Sequence, residues 1–351
     1  MQIKVSREGG LDIVRVLAVF LVTFAHFTFT AHHRVGISTI NNSEVIVNDS
    51  EWAFLIVDVF LSSHFSTYMG TIGVALFFIT TGYLMPLMLE RYGRREFLIN
   101  RVLRIAPTLI VSILLTWGCA SWCGRAEFGF MQFLHSVFLT FSFWGVSPII
   151  PVLWTLAIEV LFYALCFGIG SFSRGRLPYV MGAVFAVSMG VHFTHFEPLE
   201  YMVKYLLIIL SGSALFFLHR GTKEDFWVNV AFVVIGGTLW GGVFTFSEPT
   251  SPYGSASTVI VTLGIVSFLL FYPLQQRRFI GLLADVVYPL YLLHFTFGLS
   301  VMIGVKTFFS ENPYVMIGSA YISVLALSFL VHFAVERPFY FSIKERLRRK
   351  I

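Results

Sequence analysis

Four ionisable side chains stand inside apolar runs of this chain: Arg15, His26, Glu159 and His294. Such groups are costly in hydrocarbon, and where they persist they line a polar path or pair with one another. Arg15 and His26 are eleven residues apart on one run. Helical geometry puts them on nearly one face, roughly 16 Å apart along the axis. A guanidinium near one mouth suits an anion, and an imidazole deeper in suits proton transfer. His26 is expected about 8 Å below the outer surface, and Glu159, from another run, about 10 Å below it. At matched depth the carboxylate is expected to meet the imidazole, orient it and strengthen it as a base. Thr155 and Tyr163 lie four residues to either side of Glu159 and extend its polar stripe. His294, in Tyr291-Leu-Leu-His294, is expected near the midplane, where a supporting and a purely structural role both stay open.

Arg101 and Arg104 are three residues apart at the start of another apolar run. Both can aim at one anion, and the planar guanidinium binds phosphate bidentately. Joined to Arg15, they form a candidate phosphate clamp; the alternatives are ordinary interfacial anchors and, for Arg15, a snorkelling side chain. No Walker or GxGxxG loop accompanies them. Cys119, Cys123 and Cys166 show no metal-ligand spacing with histidine and no even disulfide framework, so no metal is expected.

The elements that must position these groups follow from composition. Of 351 residues 57% are hydrophobic and 12% charged, with 39 phenylalanines, whereas soluble domains carry about 25% charge. The chain therefore reads as an all-α integral membrane protein. Windows of about 20 apolar residues predict ten spans, near 11–31, 69–89, 102–122, 152–170, 178–194, 201–219, 226–246, 255–274, 281–305 and 313–335. The outer connections near 32–68 and 123–151 carry short aromatic stretches and are expected to lie as interfacial or re-entrant segments. The net charge of +5 is gathered in loops after even-numbered spans: Arg91, Arg94 and Arg95; Arg174 and Arg176; Arg220 and Lys223; Arg277 and Arg278; Lys344 to Lys350. That pattern predicts both termini in the cytoplasm and marks orientation rather than a nucleic-acid stripe. A single transmembrane domain over 1–351 is expected, with no appended soluble domain.

The motifs resemble, in order, those of the acyltransferase 3 family of multi-pass membrane acyltransferases. Leu11-Asp12-Ile-Val-Arg15 followed by His26 resembles the first-helix signature of an arginine, ten residues and a histidine. Gly73-Val-Ala75-Leu-Phe-Phe78-Ile-Thr-Thr-Gly82-Tyr83-Leu84 resembles the second-helix segment, with Ala75 where an aspartate is frequent. Arg101-Val-Leu-Arg104 resembles the paired-arginine motif, and Trp154-Thr155-Leu156 with Glu159, Phe162 and Tyr163 a further segment. Tyr291-Leu-Leu-His294 and Val335-Glu336-Arg337-Pro338-Phe339 match late landmarks.

The resemblance implies transfer of an acyl group, usually acetyl, from cytoplasmic acetyl-CoA or another acyl-CoA to a hydroxyl of an exported or envelope carbohydrate at the bacterial inner membrane. His26 and Glu159 would be catalytic, and Arg15, Arg101 and Arg104 would hold coenzyme A. Asp12, Trp154, Thr155, Tyr163 and His294 would bind substrate or support the site. His26 either takes the acceptor's proton or carries the acyl group covalently. The chain ends soon after its last predicted span, so transfer is expected either alone or with a separate extracytoplasmic or polysaccharide-assembly partner. Membrane lipids, coenzyme A and the carbohydrate acceptor are the expected contacts. The competing reading is a transporter or flippase of a glycan or lipid precursor, which ten spans and intramembrane charges suit as well. Outer aromatics such as Trp52, Tyr68, Trp144 and Tyr253 suit either sugar stacking or an interface belt.

Overall fold

The computed structural model describes residues 9–30, 60, 69–122, 128–194, 196–221, 230, 238–239 and 278–341, and all the regular elements among them are helical. In chain order they are α1 (Gly9–Ala25), a π-helical turn (His26–Thr30), α2 (Met69–Arg91), α3 (Arg94–Trp122) and α4 (Phe130–Val137). A 3-10 turn (Phe141–Trp144) then precedes α5 (Leu153–Ile169), α6 (Leu177–Thr194), α7 (Glu197–Lys204) and α8 (Leu206–Arg220). The last group is α9 (Arg278–Asp285), α10 (Val287–Leu293), α11 (Thr296–Phe308), α12 (Pro313–Val331) and a second π-helical turn, His332–Glu336.

Among the described residues 6 helices are long and apolar enough to cross a membrane: Gly10–Thr28, Met69–Arg91, Arg94–Ser121, Leu177–Thr194, Pro198–Arg220 and Pro313–Phe341. Two predicted spans take other forms. The one at 152–170 is the shorter apolar helix Leu153–Ile169, and the one at 281–305 is broken, with α10 and α11 bent by 58° about His294 and Phe295. The span predicted at 255–274 lies outside the described residues, as do nearly all of the one at 226–246 and of the predicted connection at 32–68. Between α3 and α5, α4 and the 3-10 turn leave Phe130, Met131, Phe138 and Trp144 mostly exposed, as a segment lying in an apolar interface would.

The chain clusters into two compact units that interleave along the sequence. The first comprises Met1–Val22, Val59–Phe97 and Ile158–Ala284. Its centre is the crossing of α2 and α8, where a side chain on Gly82 would strike the Ile209 carbonyl and one on Gly212 the Ile79 carbonyl. Ser213 Oγ donates to the Gly82 carbonyl at 2.8 Å. Lipid gives helices no hydrophobic reason to associate, so small residues that let backbones approach, and hydrogen bonds across the seam, supply the attraction. Nearby, the ammonium of buried Lys204 lies 3.1 Å from Glu200, whose carboxylate also meets His192 at 2.8 Å. A buried charge is tolerated when it is paired in this way.

The second unit comprises Thr23–Asp58, Leu98–Ala157 and Asp285–Ile351. Here α12 packs along α10 and α11. It starts on Asn312, whose side chain accepts from the amides of Tyr314 and Val315 at 2.9 and 3.4 Å, with Pro313 in the first turn. That pairing satisfies amides that the helix start would leave orphaned. The buried Phe27 ring stands against Gly298, where an added Cβ would come within 2.5 Å of it, and meets Tyr321 edge-on at 5.0 Å. Phe27 adjoins His26, so this contact fixes where the first π-helical turn sits. Such turns widen the backbone by one residue and are frequent at functional sites.

Candidate active site

Inside the second unit, His26 Nδ1 lies 2.7 Å from His294 Nε2. The rings are stacked, 4.9 Å between centroids and 25° apart in plane. Phe295 meets His26 edge-on at 4.8 Å. Phe27, Tyr291 and Phe295 surround His294 at 6.5, 5.5 and 6.4 Å. His294 is fully buried, whereas His26 keeps accessible surface, so of the two it is the one a substrate can reach. The second ring nitrogen of His294, Nδ1, donates to the backbone carbonyl of Tyr291 at 2.6 Å. This bond forms at the kink between α10 and α11.

Tyr291 is anchored in turn. Thr155 Oγ1 donates its one proton to the Val152 carbonyl at 3.0 Å. It can then only accept from Tyr291 Oη, 2.7 Å away. The start of α5 thus braces the histidine pair through Tyr291. Trp154 occupies the first turn of that helix and is half-buried. Thr296, two residues past His294, donates to the Ile149 carbonyl at 3.4 Å, and the Ile149 amide donates to buried Ser136 on α4 at 3.0 Å. The segment between α3 and α5 is thereby tied to the helix that carries the site.

The paired arginines belong to the same unit. Arg101 is buried and Arg104 half-buried, both on α3. One residue past Arg104, the Ile105 carbonyl accepts from Tyr288 Oη at 3.1 Å. Tyr288 begins α10, and His294 follows its end six residues later, a rise of about 9 Å. One short helix therefore joins the cationic segment to the histidines.

Glu159 belongs to the first unit and has other company. Its Oε1 accepts from Thr81 Oγ1 at 3.0 Å and from Tyr163 Oη in a very short contact. Phe97 braces the Tyr163 ring edge-on at 6.0 Å. Several serine and threonine hydroxyls spend their proton on their own helix, as do Thr80, Ser188, Ser211, Ser300 and Ser328. Thr81 does not, and that departure marks the carboxylate it serves. The contact that the His26 imidazole makes within its own unit is with His294, a pairing that the sequence expectation, which joined His26 to Glu159, did not include. The depth of His294 was read from a straight ninth span, and the bend at 294–295 breaks that span beside it.

Arg15 also lies in the first unit, 3.7 Å from Asp12, whose carboxylate is buried. Aspartate three residues before arginine places the two on one face. The late landmark at 335–339 overlaps the second π-helical turn, where His332 Nδ1 lies 2.9 Å from Glu336 Oε2. Arg337 stands over the rings of Phe333 and Phe341. Among the described residues no three of His, Cys, Asp or Glu converge as a metal site would require. Sequence reasoning assigned no role to Thr81, Tyr288 or Tyr291. The spacing of Tyr291 and His294 on one helical face was the available signal for the last.

A family model for an acyltransferase domain, acyltransferase 3, matches residues 8–333. The exopolysaccharide production protein ExoZ of Rhizobium meliloti (strain 1021) is 25% identical over 297 residues, which is 78% of this chain and 90% of that protein. Nodulation protein 10 of Rhizobium leguminosarum bv. viciae is 25% identical over 191 residues, 48% of this chain and 52% of that protein. No solved structure matches. The family match takes in Arg15, His26, the paired arginines, Glu159 and His294 alike, and it covers nearly the whole chain. The chain belongs to the acyltransferase 3 family.

Proposed function

We propose that this membrane acyltransferase moves an acetyl or other short acyl group from cytoplasmic acyl-coenzyme A to a hydroxyl of an exported or envelope carbohydrate. The observation that carries the reading is a reachable imidazole, His26, hydrogen-bonded to a buried one, His294, in the unit that also holds Arg101 and Arg104. The name of ExoZ, an exopolysaccharide production protein, supports a carbohydrate acceptor.

A donor set of two guanidiniums one helical turn apart, one of them buried, fits the phosphates of coenzyme A. Arg101 and Arg104 would hold those phosphates, with Arg15 a further candidate from α1. Bound there, coenzyme A supplies a thioester carbonyl ready for attack. His26 accepts the proton of the acceptor hydroxyl as that oxygen bonds to the acyl carbon, and returns it to the sulfur as the carbon–sulfur bond breaks. His294 orients the ring. Glu159, held by two hydroxyls, acts as a fixed support within the first unit.

The distribution of lysine and arginine favours the inner membrane with both termini in the cytoplasm. The acceptor is then met from the outer side, alone or with a separate polysaccharide-assembly partner.

The test uses purified full-length protein in lipid with acetyl-coenzyme A, and mass spectrometry of envelope glycans from cells with and without it. Acyl-coenzyme A consumption that depends on His26, together with loss of glycan acylation, is the expected result. Glycan acylation that persists undiminished with His26→Ala would overturn the assignment. Glycan movement across the membrane without thioester consumption would make the protein a transporter.

A further inference from the structure

We infer that His294 is a positioning residue that fixes the tautomer of His26, leaving Nε2 of His26 as the nitrogen that takes the proton. The inference rests on the acyl-transfer reading above and adds which atom acts and what holds it ready.

The assignment begins at the carbonyl of Tyr291. A carbonyl oxygen only accepts, so His294 Nδ1, 2.6 Å away, carries a hydrogen. In a neutral imidazole the other nitrogen is then bare, which makes His294 Nε2 an acceptor. The atom facing it at 2.7 Å is His26 Nδ1, which must be the donor. His26, with its hydrogen on Nδ1, keeps its lone pair on Nε2. For the uncharged pair, no other assignment satisfies both contacts.

Carbonyl, imidazole and imidazole thus stand in series, in the order that carboxylate, imidazole and hydroxyl take in a hydrolase triad. A backbone carbonyl in the first place avoids a carboxylate that would have to stay charged among Phe27, Tyr291 and Phe295. The kink at 294–295 gives the arrangement its geometry, because a histidine side chain here reaches the carbonyl three residues before it. Tyr291 is itself held through Thr155, and His26 through Phe27 against Gly298. When His26 Nε2 receives the acceptor's proton, the positive charge is shared along the bond from Nδ1 to His294 Nε2. His294 keeps its own proton on Nδ1, donated to the Tyr291 carbonyl, throughout.

Solid-state nitrogen NMR of full-length protein, labelled with nitrogen-15 histidine and held in lipid bilayers, reads the tautomer directly. The His26 resonances are identified by their loss in His26→Phe. A protonated Nδ1 and a bare Nε2 are expected; the reverse would overturn the inference, and this arm needs no variant at His294. His294→Gln retains an amide oxygen able to accept from His26 Nδ1, and should keep that tautomer with kcat within about tenfold of the wild type. His294→Leu removes the acceptor. It should shift His26 toward the Nε2-protonated form and lower kcat by roughly a hundredfold or more, with KM for acetyl-coenzyme A little changed. A leucine variant that keeps the wild-type tautomer and rate, or a folded glutamine variant no better than leucine, would also overturn it. If transfer survives His26→Ala, the enzymatic reading fails, while the resonance still decides the tautomer.

Discussion

Each unit keeps an ionisable group in its apolar interior, and each solves the problem with different partners. In the first, Glu159 accepts from the hydroxyls of Thr81 and Tyr163. In the second, His26 and His294 bond to each other and end on a carbonyl. A carboxylate between two hydroxyl donors is well solvated but has nowhere to pass a proton. An imidazole both donates and accepts, so a pair of them can take a proton at one end and share the charge along the bond. The histidine pair therefore fits a cycle of protonation and release, and the carboxylate fits a fixed support.

Mutations can break that contrast. His26→Ala should have the largest effect: acyl transfer per folded molecule falls by roughly 10²–10⁴-fold, far beyond the about 1–3 kcal/mol of stability lost by leaving buried His294 without its donor, as measured by thioester consumption alongside thermal denaturation in detergent. Arg101→Ala with Arg104→Ala should come next, by a different route. Losing charge-assisted bonds worth about 1.5–3 kcal/mol each should raise KM for acetyl-coenzyme A at least tenfold and leave kcat closer to normal. A kcat defect without a KM change would remove the arginines from donor binding.

Glu159→Gln sharpens the comparison from the other side. It keeps an oxygen for the two hydroxyls and removes the charge, so a support should lose less than about tenfold in rate, whereas a base would fall as far as His26→Ala. Gly82→Leu should act on stability alone. Forcing a side chain into the α2–α8 seam costs roughly 1–3 kcal/mol or more, seen as a lower melting temperature with normal turnover per folded molecule. Thr81→Val is the mildest, about 1 kcal/mol of stability through one lost donor to a half-buried carboxylate, with rate nearly intact.

The membrane class, the helical architecture and the family were legible from composition and ordered motifs, because lipid admits so few backbone solutions and leaves each span a long apolar signature. Candidate residues stood out too, since Arg15, His26, Arg101, Arg104, Glu159 and His294 are polar where polarity is costly. Their pairing was not. Depth matching joined His26 to Glu159 on the premise of straight helices, and passed over His294, whose own helix breaks beside it. Thr81 and Tyr291 carried no warning, since a hydroxyl on an apolar helix ordinarily bonds its own backbone and looks the same in sequence when it does not.

From the order of residues alone, one can say that this chain lives in lipid, that it is helical, and which few side chains are too polar to be idle there. Those facts depend on composition and on spacing along a single helix, which are local. Which imidazole meets which partner, and which nitrogen keeps its lone pair, depends on a 58° bend and on ring contacts between residues 268 positions apart. Distances of that kind are set by packing between helices, and no local pattern encodes them.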